Sequence, residues 1–175
     1  MPEKNINSTT MLPAALRPTP DESGMTVPQL LEHRINALFE QIPLVAELGE
    51  AFAQAGHDLY LVGGSVRDAL MGRLGHDLDF TTDARPDDTE AILRQHTHAT
   101  WDIGRAFGTI GAQIDDWVVE VTTYRADAYH PDSRKPEIVY GETLKDDLIR
   151  RDFTVNAMAL HAATRTFSDP YAGLT

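Results

Sequence analysis

The sequence predicts an α+β fold in which a small mixed sheet is flanked by helices. Apolar residues between Val27 and Gly56 recur at three- and four-residue steps, which is the spacing of amphipathic helices. After Asp58 the pattern changes to short apolar and β-branched segments, several of which alternate in polarity as strands do. We therefore expect helices first, followed by a mixed α and β unit whose sheet has four or five strands.

The composition fits one domain and excludes several classes of protein. The chain has 175 residues, of which 42% are hydrophobic and 24% are charged, so it can bury a core. The lack of cysteine excludes disulfides and thiolate metal sites. No apolar run reaches the roughly 18 residues that a membrane span needs. We expect a cytoplasmic protein without a membrane partner.

The net charge of −12 limits how this chain could contact a nucleic acid. A surface that grips nucleic acid broadly is basic, because the phosphates must be neutralised. Any nucleic-acid role therefore needs a local cationic patch.

The first 56 residues divide into a leader and two helices. Residues 1–24 contain four prolines among small polar residues, which predicts a flexible leader. Residues 25–56 predict two packing helices that are broken around Pro43. Residues 57–175 form the remaining predicted domain.

The elements of residues 57–175 follow from local pattern. Leu59–Val62 is an apolar strand that ends in a glycine turn, and a helix follows from Val66 to Met71. The later elements are predicted as a strand at 76–82, a helix at 83–98, a hairpin of 109–114 with 117–124, an irregular segment at 126–141, helical spacing at 144–160, and a short strand or loop at 166–175.

Two aspartates on one predicted strand are the first candidates for chemistry. Asp77 and Asp79 lie two positions apart, so both carboxylates project from the same face of the strand. Like charges this close need a counterion, and oxygen ligands suit a hard divalent cation such as magnesium. The pattern alone does not identify a metal site, because such pairs also occur by chance in an acidic chain.

A glycine turn upstream supplies a candidate phosphate site. Gly63, Gly64 and Ser65 end a strand and begin a helix, where free backbone amides can hold phosphate oxygens and small residues let a ligand approach. Neither the dinucleotide fingerprint nor the P-loop pattern is present. A plain strand-to-helix turn is the alternative.

Glu120 is an acid inside an otherwise apolar predicted strand. A buried carboxylate without a partner is unfavourable, so such a residue is usually paired with a cation or a metal. A strand beside that of Asp77 would bring Glu120 to the aspartates. The alternative is a glutamate on an edge strand that faces water.

Arginines supply most of the positive charge near these motifs. Arginine binds phosphate through a planar fork, whereas lysine acts as a point charge. Arg67 follows the glycine turn, and Arg150 and Arg151 begin a further predicted helical segment with Asp152 and Asn156 on one face. Each arginine alone could be a surface residue, but together with the carboxylates they make a metal and triphosphate site plausible.

Five motifs in one order carry a resemblance to a known family. They span residues 61–68, 77–80, 107–110, 120–125 and 150–159. The chain resembles the head domain of class II tRNA nucleotidyltransferases, the CCA-adding enzymes, and of the related bacterial poly(A) polymerases. The resemblance covers residues 56–175 and implies a polymerase-β-like nucleotidyltransferase fold.

The resemblance also implies an activity and roles for residues. It implies addition of nucleotides from CTP and ATP to the 3′ end of tRNA, with two magnesium ions held by Asp77, Asp79 and Glu120. Nucleotide contacts would come from Gly63, Gly64, Ser65, Arg67, Arg150, Arg151, Asp152 and Asn156. Residues 125–136, including Arg125, Asp127 and Arg134, resemble the family's flexible loop.

Several alternatives remain open at this stage. Poly(A) polymerases and enzymes that add only A or only C share these head motifs. Relatives continue after the head into helical domains that read the base and hold the tRNA, and these are missing here, so we expect a truncated chain. A non-catalytic nucleotide-binding module or a structural domain with surface acids are further alternatives.

Overall fold

The computed structural model describes residues 17–73, 75–128, 137–151 and 157–169. The helices are α1 (Val27–Gln41), α2 (Pro43–Gln54), α3 (Gly64–Leu70), α4 (Pro86–Arg94) and α5 (Leu144–Ile149). The strands are β1 (Leu59–Val62), β2 (Asp77–Thr82), β3 (Thr100–Trp101), β4 (Thr109–Ile114), β5 (Trp117–Thr123), β6 (Arg125–Ala128), β7 (Glu137–Tyr140), β8 (Ala159–His161) and β9 (Phe167–Ser168).

Seven of these strands form one mixed sheet in the order β3-β4-β5-β2-β1-β8-β9. Among the strands of this sheet that the structure describes, only the β2–β5 pair is parallel, and the other neighbours are antiparallel. The α+β prediction is confirmed, but four or five strands was too few. The two-residue strands β3 and β9 are too short to show a polarity pattern in the sequence.

The first two helices pack against this sheet. Thr26 caps α1 through a capping box with Gln29, and Pro43 occupies the first turn of α2. Their buried residues join the same core as the inner face of the sheet, and include Ile35, Leu38, Phe39, Val45, Leu48 and Phe52. The break at Pro43 is confirmed. The division of the chain at residues 24 and 56 stays a prediction.

Part of the predicted leader is anchored to α1. Glu22 is buried, and its carboxylate accepts hydrogen bonds from Arg34 Nε and Nη2 at 3.2 and 3.0 Å and from the Thr19 backbone N–H at 2.8 Å. These contacts, led by the Arg34 hydrogen bonds, lower the pKa of Glu22 to about 2. Residues 17–24 are therefore held by an ion pair.

The two faces of the sheet are covered differently. One face lies in the large core beneath α1 to α4, to which β2 contributes Leu78 and Phe80 and β5 contributes Val119 and Val121. The opposite face carries a smaller cluster in which Leu148 of α5 packs with residues of β1 and β8. The part of that face formed by β2 and β5 bears the candidate carboxylates.

Three predictions about the second half of the chain were wrong in part. The segment 126–141 is not irregular throughout, because β6 and β7 pair as a two-stranded antiparallel ribbon. The helix predicted over 144–160 ends at Ile149, and residues 159–161 form β8. Arg150 is therefore the C-cap of α5 rather than the start of a helix.

The longest helix in the described ranges is α1, with 15 residues. None of the helices seen there has both the length and the apolar character to cross a membrane.

Candidate active site

The pairing of β2 with β5 brings the three candidate acids together. The parallel register places Asp79 opposite Glu120, and Asp77 opposite Val118. Asp77 and Asp79 share a face of β2, because the intervening Leu78 points into the core. The expectation that Glu120 lies beside the aspartates is confirmed. β5 is an inner strand, although the Glu120 side chain is exposed.

These acids open into a cavity of about 430 Å³ between α3, β2 and β5. The polar residues that line it are Ser65, Asp68, Asp77, Asp79 and Glu120, with Gly64 and Gly75 at its wall. Asp68 is a fourth carboxylate to which the sequence analysis gave no role. Its position directly after Arg67, one turn beyond the glycines, is the signal that could have identified it.

The glycine turn needs its first residue to be glycine. Gly63 has φ 64° and ψ −140°, a conformation that side chains strongly disfavour. A Cβ at this position would lie 3.7 Å from Arg151 Nη1 and 3.9 Å from Asp79 Oδ2. The turn therefore lies directly beside an aspartate and an arginine of the predicted site.

Ser65 ties this turn to the aspartate strand. Its hydroxyl accepts a hydrogen bond from the Asp79 backbone N–H at 3.1 Å and donates to the Asp77 carbonyl oxygen at 3.5 Å. The hydroxyl is thus engaged with β2, so its contribution in this structure is to fix α3 against the strand. A contact of Ser65 with nucleotide stays a prediction.

The environment of Asp79 disfavours a carboxylate without a cation. Burial raises the pKa of Asp79 to about 6, and the nearby charges of Glu120 and Asp147 act in the same direction. Arg151 and, more weakly, Arg150 oppose this rise. Carboxyl groups whose pKa is shifted in this way are frequent at functional sites.

The donor set suits magnesium without forming a closed metal cage. Within the parts of the chain that the structure describes, no three histidine, aspartate or glutamate side chains are close enough to hold a metal ion by themselves. Magnesium usually binds one or two carboxylates and completes its shell with water and substrate phosphates. Asp77, Asp79 and Glu120 fit that mode of binding.

Of the predicted arginines that the structure describes, none lines the cavity. Arg67 lies on α3, where its Nε is 3.2 Å from Asp68 Oδ1 and its Nη2 is 3.3 Å from the Cβ position of Gly64. Arg150 and Arg151 follow α5 and contact Asp147. Arg151 reaches the glycine turn, where its Nη1 is 3.7 Å from the Cβ position of Gly63, and its charge opposes the rise in the pKa of Asp79 more strongly than that of Arg150.

Asp147 is a second acid that sequence reasoning missed. It is fully buried, and it accepts hydrogen bonds from both arginines and from the Arg125 backbone N–H. The signal in the sequence was its spacing of three and four residues from Arg150 and Arg151.

The other loop and nucleotide candidates are only partly visible. Arg125 begins β6, and the backbone of Asp127 pairs with Ile138 of β7. Arg134, Asp152 and Asn156 lie outside the described residues, as does the side chain of Asp127. Their predicted roles stay predictions.

Comparison with known proteins identifies relatives of this domain. Residues 59–175 match the model of the poly A polymerase head domain family. The CCA-adding enzyme of Staphylococcus haemolyticus (strain JCSC1435) is 48% identical over 112 residues, which are 63% of this chain and 27% of that protein. The CCA-adding enzyme of Staphylococcus aureus (strain MRSA252) is 41% identical over 133 residues, which are 75% of this chain and 31% of that protein.

Solved structures agree with these matches. The CCA-adding enzyme of Bacillus stearothermophilus in complex with CTP has a TM-score of 0.62 at 34% identity, over 78% of this chain and 30% of that one. A tRNA nucleotidyltransferase complexed with a primer tRNA and an incoming ATP analog has a TM-score of 0.58 at 32% identity, over 73% and 35%. This chain therefore spans about a third of the length of its relatives. The fold, the carboxylate face and the family match agree: the chain belongs to the poly A polymerase head domain family, as its motifs predict.

Proposed function

We propose that this chain is the catalytic head of a template-independent RNA nucleotidyltransferase that adds nucleotides from CTP and ATP to the 3′ end of tRNA. The observation that carries the proposal is the convergence of Asp77, Asp79 and Glu120 on one open face, beside the Gly63–Gly64 turn. The relatives named as CCA-adding enzymes, and neighbours in complex with CTP or with primer tRNA, support these substrates.

The reaction is a single displacement at phosphorus. The 3′ hydroxyl of the RNA attacks the α-phosphorus of CTP or ATP and the new O3′–P bond forms. The bond from that phosphorus to the bridging oxygen breaks as pyrophosphate leaves, and the hydroxyl proton is released to solvent. Two magnesium ions, when bound, would lower the pKa of the attacking hydroxyl and offset the charge on the leaving group.

The residues of this chain would place the reactants. Asp77, Asp79 and Glu120 would hold the metal ions on the sheet face. Gly63 and Gly64 carry no side chain that would block a triphosphate at the turn. Arg67 and Arg151, on either side of that turn, would balance the phosphate charge. The acceptor tRNA makes the cytoplasm the expected compartment.

The test is nucleotide incorporation into a tRNA that lacks its 3′ terminal CCA. The chain is assayed alone and joined to the part of the Staphylococcus aureus enzyme that follows the matching segment. We expect magnesium-dependent addition of C and A, and a loss of roughly 100-fold or more in the Asp77→Ala/Asp79→Ala variant. Addition that persists within about tenfold in this variant contradicts the metal assignment.

A second candidate is poly(A) addition, or addition of only A or only C. The matching family is described by its poly A polymerase head domain, which favours this candidate. Sequencing the products from tRNA and from a messenger-like RNA distinguishes the activities. A run of A on both RNAs would replace CCA addition as the conclusion.

A third candidate is a nucleotide-binding module without turnover, because the glycine turn and the adjoining cavity offer a site for a nucleotide whether or not transfer follows. Calorimetry with CTP, ATP and magnesium decides this case. Tight binding without incorporation in either form of the protein would favour the module.

A further inference from the structure

Asp147 is a buried acid that the proposed reaction leaves without a role. It lies on α5 with no solvent exposure, on the side of the sheet that carries the site. A buried carboxylate is strongly unfavourable unless it is paired and fully hydrogen-bonded. The hydrogen bonds of Asp147 therefore indicate its role.

Both oxygens of Asp147 hold arginines through the same edge of the guanidinium. Arg150 donates from Nε and Nη2 to Oδ1 at 3.3 and 3.1 Å. Arg151 donates from Nε and Nη2 to Oδ2 at 3.3 and 3.0 Å. Each arginine is therefore held side-on, with its Nε–Nη2 edge against a single carboxylate oxygen, which restricts the orientation of the guanidinium as well as its position.

The side-on grip leaves Nη1 of Arg151 directed at the site. Nη1 lies 3.7 Å from the Cβ position of Gly63, which is also 3.9 Å from Asp79 Oδ2, and Nη1 makes no hydrogen bond within the described ranges. A freely rotating arginine would lose conformational entropy on meeting a phosphate, whereas one already held loses less.

Asp147 also contacts the ribbon formed by β6 and β7. Its Oδ1 accepts the backbone N–H of Arg125 at 3.1 Å, at the first residue of β6. One carboxylate thus joins the end of α5, the arginine pair and the base of the ribbon.

We propose that Asp147 is a positioning residue that holds Arg151 beside Gly63 and Asp79 for the incoming triphosphate, and that couples this arginine to the β6–β7 ribbon. The triphosphate contact rests on the proposed function. The positioning of the arginines does not, and the two parts are tested by separate readouts.

The first readout is the NMR signal of the arginine Nε–H groups in the free protein. In the wild type we expect slow exchange with water for Arg150 and Arg151, because both Nε–H groups are bonded to a buried acceptor. In Asp147→Asn we expect fast exchange for at least one of them, together with faster exchange of the Arg125 amide. Retention of all three slow signals would overturn the positioning role, whatever nucleotide binding shows.

The second readout is the affinity for magnesium and CTP by calorimetry. We expect Asp147→Asn and Arg151→Ala each to weaken binding by roughly fivefold or more. The double variant should bind no more weakly than Arg151→Ala alone, because Asp147 acts through Arg151. Losses that multiply in the double variant would overturn the proposal.

The matched control is Asp146→Asn on the same helix. Asp146 belongs to the capping box of α5 and contacts the backbone N–H groups of Glu142 and Thr143. This variant weakens the helix without touching the arginines, so its CTP affinity should stay within about twofold of the wild type. A loss equal to that of Asp147→Asn would assign the effect to helix stability and overturn the proposal.

If Asp147→Asn does not fold, the Arg151→Lys variant tests the proposal instead. Lysine keeps the charge but cannot make the side-on pair, so affinity should fall almost as far as in Arg151→Ala. Wild-type affinity in Arg151→Lys would overturn the proposal. If the wild type itself binds no nucleotide, the proposed function fails, and the arginine signals alone decide the role of Asp147.

Discussion

The two faces of β2 and β5 differ in what their residues contribute. On the covered face Leu78, Phe80, Val119 and Val121 are almost without exposure, so they stabilise the fold. On the open face Asp77, Asp79 and Glu120 bring like charges together beside a cavity. One pair of strands therefore carries apolar residues that stabilise the fold on one face and carboxylates that destabilise it on the other. The carboxylates require a functional explanation.

The largest effect on stability should come from the covered face. Phe80→Ala removes a fully buried ring from the core, and we expect a loss of about 3 to 5 kcal/mol in the free energy of unfolding. Urea denaturation measures it. Ile103→Ala, at a side chain that is 88% exposed, is the control and should change stability by less than about 0.5 kcal/mol. Equal effects would contradict the assignment of the core.

A smaller loss should come from the contact of α2 with Ala162, the residue that directly follows β8. A Cβ on Gly49 would lie 2.6 Å from the carbonyl oxygen of Ala162, and backbone cannot rotate away as a side chain can. We expect Gly49→Ala to lower stability by about 1 to 3 kcal/mol. Gly75→Ala, where a Cβ would meet nothing within 4 Å, is the matched control. A neutral Gly49→Ala would show that α2 packs less closely.

On the open face, a substitution is expected to leave stability unchanged or to increase it. Asp79→Asn removes a charge that burial disfavours. Without metal, the melting temperature should therefore stay equal or rise, and the free energy of unfolding should increase by no more than about 1 kcal/mol. Differential scanning calorimetry in the presence of a chelator measures it. Asp116→Asn in the exposed β4–β5 turn is the control. A clear drop for Asp79→Asn would mean that Asp79 supports the fold.

The smallest effect concerns Glu22, an acid that is paired rather than crowded by like charges. Its pKa is lowered from 4.5 to about 2 by Arg34 and Thr19, so its contribution is present above about pH 4.5 and is lost as the pH falls towards 2. On acidification from neutral pH to about pH 3, the free energy of unfolding of the wild type should fall by about 1 kcal/mol more than that of Glu22→Gln. Parallel pH curves in urea denaturation would contradict the pairing.

The sequence predicted the parts of the fold that have a clear local period. The hairpin of β4 and β5 turns at Asp115 and Asp116 as expected, and Glu120 lies beside Asp79 as expected. β8 was missed because it has only three residues, all of them buried, so it shows none of the buried and exposed alternation that separates a strand from a helix.

The candidate site was predictable in its residue types but not in its geometry. Spacing alone placed Asp77 and Asp79 on one face. The role of Asp147 depends on burial beneath β6 and on contact with Arg125, 22 residues away, which no local pattern encodes. Tertiary packing decides which acids are paired and which stay available.

The central claim is that the open carboxylate face serves nucleotide chemistry rather than the fold. The most direct measurement is the affinity of Asp79→Asn for magnesium and CTP by calorimetry, with its melting temperature recorded separately in the presence of a chelator. We predict that affinity falls by roughly tenfold or more while the melting temperature does not decrease. Unchanged affinity in a folded Asp79→Asn protein would contradict the account.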